Sequence, residues 1–285
     1  MDITNKSSFN WYKSGLGKTP YISDEVEAIL SVYTGLTIRK KQLFQAFIDN
    51  IGGLDGDMWN QTDYLFVFKF AGAFLENFKD LKGHANPFST TVTDGQKIAN
   101  YTSTDGYLTQ LYNPGTINNT LGVADNWYKA SIFGAIKKDT SLNYDNNIQL
   151  GYGALKKAGN SNTFTGEKYD GVSGANGRQT AILGGNSAKA VHTFALSGLT
   201  GKDEANQNVL IVDGNQALLP IKSASVLTGS PNIARLGFNT NSGSPNVRMR
   251  DAAMLGFGRG YTREQVVILE QATNKFITAI NSLTP

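Results

Sequence analysis

Residues 207–271 constrain the fold more tightly than any other stretch, because they spell out a fixed order of pieces. Val209, Leu210, Ile211 and Val212 form an apolar, partly β-branched run of strand length. Asp213-Gly214 follows, a dipeptide that accepts positive φ at both central positions of a tight hairpin turn. Residues 216–219 return as the partner strand, and Pro220 ends it. Two more apolar runs, 233–238 and 247–257, are separated by a loop of Gly, Ser and Asn. A helix then starts at Thr262, whose hydroxyl caps it, and Gln265 completes a Thr-x-x-Gln capping box. Val266, Leu269, Ala272, Phe276 and Ile280 keep one face of that helix over 262–280. A helix with one apolar face needs a layer to lie against, so this helix is expected to pack on a sheet or on the N-terminal helices.

The first third of the chain is patterned differently. Ser23 caps a short helix whose first turn carries Asp24 and Glu25, and Gly35 ends it. Thr37 caps a second helix, in which Leu43, Phe44, Phe47, Ile48 and Ile51 recur at spacings of three and four before Gly52-Gly53. Residues 63–74 carry Tyr64, Leu65, Phe66, Phe68, Phe70 and Phe74, and periodicity alone does not separate helix from strand there. Those rings read as packing between the helices and the rest of the chain.

From residue 85 onward turn residues fall every eight to twelve positions, and strands are predicted at 107–112, 130–136, 148–152, 179–183 and 190–196. Residues 160–177, rich in Gly, Asn, Thr and Ser, are read as a long loop. Trp127 and Tyr128 read as core anchors, with a sugar platform as the alternative. Charged residues make up only 17% of the chain and glycines number 31, which favours short strands joined by turns over a helical bundle. The net charge of +3 is scattered, so no nucleic-acid partner is expected. Cysteine is absent, which excludes disulfides and thiolate metal sites. The N-terminal residues lack the apolar core of a signal peptide, and no apolar run nears the roughly 18 residues that span a bilayer, so no membrane partner is expected.

The C-terminal pieces resemble the LamG-like (concanavalin A-like) jelly rolls. Their strand reading V-x-I-Y-V-D-G has its counterpart in Leu210-Ile211-Val212-Asp213-Gly214, their strand ending in I-G in Arg235-Leu236-Gly237, and their strand leading into L-T/S-x-E-E/Q in Gly260-Tyr261-Thr262-Arg263-Glu264-Gln265. Residues 22–86 resemble the helical lead-in of tailed-phage virion proteins that carry this jelly roll, through Phe47-Ile48, Trp59, Asp63, Leu65, Phe68 and Asn77-Phe78-Lys79. The resemblance implies helix over 63–74, and thus three or four packed helices over 22–81. It implies a mainly β protein: a two-sheet antiparallel LamG-like jelly-roll sandwich over 85–285 and a helical docking module over 22–84; residues 1–21, polar and without a clear period, read as an arm ahead of them. It also implies a non-enzymatic structural component of a phage particle, assembled in the host cytoplasm and working through other virion proteins and further copies of itself. A carbohydrate-binding module on the virion surface, with host glycans as partners, is the alternative.

Candidate chemistry is sparse. Ser14-Gly15-Leu16-Gly17-Lys18-Thr19 looks like a phosphate loop, but Tyr12 stands where such a loop needs its first glycine. His84 and His192 lie too far apart in sequence to form a histidine pair motif and read as structural or surface residues. The Glu-x-Asp-x-x-Glu strand motif of glycosidases on this fold is missing, so no catalytic residue is assigned. No cofactor is expected; Asp55 and Asp57 around Gly56 are candidate calcium ligands or simply turn formers. Phe9, Trp11 and Tyr12 are the candidate interface residues, aromatic anchors on an arm too short to build a core.

Overall fold

Three helices lead the chain into its sheets. The computed structural model describes residues 21–70, 76, 78–83, 101–104, 107–110, 117–118, 130–138, 145–150, 153–157, 162–169, 178–197, 208–219, 233–236, 247–248 and 251–283. Ser23 caps α1 (Asp24–Leu30), its hydroxyl accepting from Val26 N at 3.2 Å. Thr37 likewise caps α2 (Ile38–Asn50), accepting from Lys40 N. The stripe predicted for α2 is buried along its length. A short α3 (Asp57–Gln61) then runs straight into β1 (Thr62–Val67).

The strand β1 corrects the helix implied for 63–74 over residues 63–67, with a turn at 68–70; residues 71–74 lie outside the described residues. All six of its residues are buried. Leu65 and Val67 join one apolar core, while Tyr64 and Phe66 join another on the opposite face. A strand buried on both faces reads as an unbroken apolar run, so its period of two leaves no trace in hydropathy.

Fourteen more strands are described: β2 (Tyr101–Thr104), β3 (Tyr107–Gln110), β4 (Ile117–Asn118), β5 (Ala130–Lys137), β6 (Asp145–Leu150), β7 (Gly153–Lys157), β8 (Thr163–Tyr169), β9 (Arg178–Gly184), β10 (Val191–Leu196), β11 (Val209–Val212), β12 (Asn215–Leu218), β13 (Ile233–Leu236), β14 (Val247–Arg248) and β15 (Ala252–Arg259). The chain closes with α4 (Arg263–Ser282), where both halves of the Thr262–Gln265 capping box form. Among the described residues, one sheet runs β12-β11-β10-β5-β15-β3-β2 with β1 also on β15; the other runs β4-β13-β6-β7-β8-β9 with β14 on β6. Every pairing is antiparallel except β14 with β6. This is the two-sheet antiparallel sandwich, with N-terminal helices and a C-terminal helix, that the sequence predicts.

Side-chain alternation shows which layer is central. Along the β5-β10-β11-β15 sheet, Phe133, Ala135, Ala195, Val209, Ile211 and Met254 face the helices. Ile132, Ile136, Phe194, Leu196, Leu210, Val212, Leu255 and Phe257 face the second sheet, meeting Leu155, Phe164 and Ala181 there. The first sheet is therefore an inner layer, covered by helices on one side and by the outer sheet on the other. Phe276 of α4 sits among Phe44 and Phe47 of α2 and Phe70, just after β1. Arg259 of β15 holds Asp63 of β1 through two hydrogen bonds, Nε to Oδ2 at 2.7 Å and Nη2 to Oδ1 at 2.8 Å. The helices and the inner sheet thus share one core. The expected boundary at 84/85 falls outside the described residues.

Two further readings change. The loop expected over 160–177 contains β8, in which polar residues alternate with Phe164 and Gly166. A Cβ on Gly166 would meet Leu196 and Leu210 at 3.0–3.3 Å, so glycine serves close approach of the sheets here rather than a turn. The single strand expected at 148–152 is the start of a hairpin between β6 and β7.

Candidate functional site

Two of the polar places in the described structure bear on function, one sealed and one open. The sealed place is the turn between β11 and β12. Asp213 and Gly214 hold φ of 51° and 84°, the positive values that a two-residue hairpin turn demands. This folds the Asp213 carboxylate back onto β10 and the turn before it, where Oδ1 accepts from Thr193 N at 3.1 Å and Oδ2 from Asn186 N at 2.8 Å. His192 Nδ1 lies 2.7 Å from Oδ2, and Lys189 Nζ 3.2 Å from Oδ1. The other imidazole nitrogen, Nε2, faces Asn162 Oδ1 at 3.2 Å. Behind this pair, Thr193 Oγ1 donates to Glu270 of α4, a carboxyl buried in the helix face.

The electrostatics follow from burial and hydrogen bonding. Burial works to raise the Asp213 carboxyl, but hydrogen bonds from His192 and from the Asn186 and Thr193 backbone outweigh it, and the group sits below the usual carboxylate range. Glu270 goes the other way. Burial pushes it up, and the opposing Thr193 hydroxyl and Lys189 charge do not restore it.

A carboxylate orienting an imidazole is half of a hydrolytic triad. Here the other half is blocked. The His192 side chain has no solvent exposure, and Asn162 occupies the nitrogen that would meet a nucleophile. Even a Cβ on the neighbouring Gly185 would come within 2.7 Å of His192 Nδ1, so the pair is packed without room for a substrate. The arrangement ties hairpin, strand and helix together, in keeping with a structural His192.

The open place is the outward face of β8 and β9. Ala181 and Phe164 point inward to the core between the sheets, so Thr163, Thr165, Thr180, Ile182 and Gly184 stand on the opposite face. Ile182 is 63% exposed and pairs in register with Thr165, with Thr163 opposite Gly184 at the next rung. On the same face Glu167 pairs with Thr180 at the following rung, where its side chain is buried, so the open part of the face is the Ile182 end. An apolar side chain bordered by hydroxyls is a surface that offers both a nonpolar contact and hydrogen bonds to one ligand.

The residues singled out from the sequence fall elsewhere. Phe9, Trp11 and Tyr12, together with His84, Trp127 and Tyr128, lie outside the described residues. Asp55 and Asp57 are exposed at the start of α3, where the Asp55 carbonyl accepts from Asn60 Nδ2 at 3.2 Å. Among the described residues, no three or more His, Cys, Asp or Glu side chains come together as a metal site would require. No helix among them is long and apolar enough to cross a membrane. Neither polar place was found from the sequence. Glu270 carried a signal, since it lies four residues after Val266, on the edge of the apolar stripe.

No family model matches the chain, and no curated protein is similar to it in sequence. Several solved structures align with parts of the chain. A leech intramolecular trans-sialidase aligns with a TM-score of 0.39 at 16% identity, over 52% of this chain and 23% of that one. Domains LG4-5 of the mouse laminin α1 chain align with a TM-score of 0.35 at 11% identity, over 50% of this chain and 38% of theirs. The CBM40 domain of the Ruminococcus gnavus IT-sialidase, solved bound to α2,6-sialyllactose, aligns with a TM-score of 0.32 at 14% identity, over 52% and 77%. The chain thus spans well under half the length of the first two.

Proposed function

We propose that the chain is a non-catalytic carbohydrate-binding module whose glycan lies across the outward face of β8 and β9. The inner sheet is covered on both sides, so recognition is left to the outer sheet and the loops around it. One observation carries the reading: Ile182, a large apolar side chain 63% exposed, stands in register with Thr165 and is flanked by Thr180 and Gly184. A pyranose ring has an apolar C–H face and a rim of hydroxyls. Ile182 meets the first, the threonine hydroxyls both donate to and accept from the second, and Gly184, with nothing within 4 Å of a Cβ built on it, leaves the approach open. Binding of the intact chain to a glycan array tests this. Retention of a defined set of glycans, lost on Ile182→Asp, is the expected outcome; an array blank for the wild type overturns it.

A second reading has its own support in the resemblance across 22–280 and in the aromatic arm. In it, the chain is a structural component of a tailed-phage particle, assembled in the host cytoplasm, and Phe9, Trp11 and Tyr12 dock residues 1–21 onto another virion protein or a second copy of the chain. Deleting 1–21 tests the arm. Loss of the oligomeric state or of incorporation into particles, with the fold intact, supports docking; unchanged assembly places the contact elsewhere.

A further inference from the structure

Glu270 is buried on the inward face of α4, where Thr273 is the other buried polar residue among apolar ones. From β10 comes the Thr193 hydroxyl, which donates to its carboxyl, while the adjacent His192 points to the other face of the strand, against Phe164 and Asn162. From the hairpin turn come the Gly214 N–H and the Asp213 carboxylate. From the segment before β10 comes Lys189, the one cation facing this group among the described residues, with Nζ 3.2 Å from Asp213 Oδ1 and 3.3 Å from Asn274 Oδ1. The other strands beneath the helix, β5 and β11, contribute Phe133, Ala135, Val209 and Ile211 to the helix-side core. Two carboxyl groups therefore share one ammonium in a largely dry junction. Asp213 already holds most of the donors.

We propose that a proton holds the C-terminal helix to the sandwich: α4 seats with the Glu270 carboxyl neutral, and ionisation of Glu270 loosens the helix from β10 and the hairpin. The junction is then a pH-dependent latch, engaged in acid and weakened as pH rises. Burial, the dominant influence on Glu270, acts in this sense, and the nearby Asp213 charge adds to it against Thr193, Lys189 and the Gly214 N–H. The sign follows from linkage. A carboxyl raised in the folded state stabilises fully below its ordinary value, and that contribution is lost as pH climbs to the folded value.

The test is amide hydrogen exchange across α4 in the full chain, wild type against Glu270→Gln, at matched pH values from 4 to 9 so that intrinsic exchange cancels. Glutamine keeps the shape and the acceptor for Thr193 but carries no proton to lose. The ratio of wild-type to variant protection is expected to fall with rising pH, by up to about tenfold per unit within the window between the ordinary and folded values. A ratio constant with pH overturns the proposal. Should the variant not fold, ¹³C-carboxyl titration of Glu270 in the wild type decides the matter: a midpoint above the ordinary glutamate value of about 4.3 supports the latch, and one at or below it refutes it.

Discussion

Replacing Phe276 by alanine is expected to be among the most damaging single changes to this fold. The ring is only 3% exposed, and its centroid lies 6.2 Å from that of Phe44, 5.6 Å from Phe47 and 5.8 Å from Phe70. Truncating a buried phenylalanine costs about 3–5 kcal/mol, and the higher end applies where the cavity cannot collapse. Collapse is hindered here because the three neighbouring rings sit on α2 and beyond β1, each fixed by its own backbone. Aromatic pairs contribute a further ~0.5–1.5 kcal/mol each beyond buried area, though not additively in one cluster. A loss of about 4–5 kcal/mol follows, a large share of a total stability of about 5–15 kcal/mol. At about 2–4 °C per kcal/mol, the melting temperature should drop by about 8–20 °C. Urea unfolding followed by circular dichroism measures the change directly, with the denaturant slope checking that the transition stays two-state. Ile268→Ala on the same helix is the control: Ile268 is 38% exposed, and its loss should cost less than about 1 kcal/mol. Equal effects of the two substitutions would refute the packing of α4 on α2 and the inner sheet.

Gly214→Val should destabilise by about 1 kcal/mol or more, because φ of 84° strains a β-branched residue even where space is free; an unchanged thermal midpoint would mean that the turn is not the one described. Asp213→Asn should flatten the acid limb of the stability profile. Its carboxyl is held below the ordinary value, so its contribution is present above that value and lost as pH falls through the folded one. Urea midpoints between pH 3 and 7 check this, and parallel wild-type and variant profiles would contradict it.

Local signals in the sequence were legible wherever backbone geometry depends on one or two residues. Ser23, Thr37 and Thr262 marked helix starts, and Asp213-Gly214 marked the hairpin, because capping and positive φ require particular side chains. The strand β1 was not legible, since burial on both faces erases alternation and leaves Tyr64 to Phe68 looking like any apolar segment. The strand β8 was hidden by Gly166, whose usual association with turns masks its use here for close packing under Leu196 and Leu210. With β8 unread, the open face that it forms with β9 could not be read either. The buried junction depends on contacts of long sequence separation, Thr193 with Glu270 and His192 with Asn162, which no local spacing encodes.

The claim that the outer sheet carries recognition is tested most directly by methyl NMR of isoleucine-labelled protein titrated with the glycans retained on an array. The Ile182 methyl should shift in a saturable way, while those of Ile132 and Ile211, buried on the two faces of the inner sheet, stay in place. Saturable shifts confined to other isoleucines, or none at Ile182 while the glycan is bound, would contradict the account.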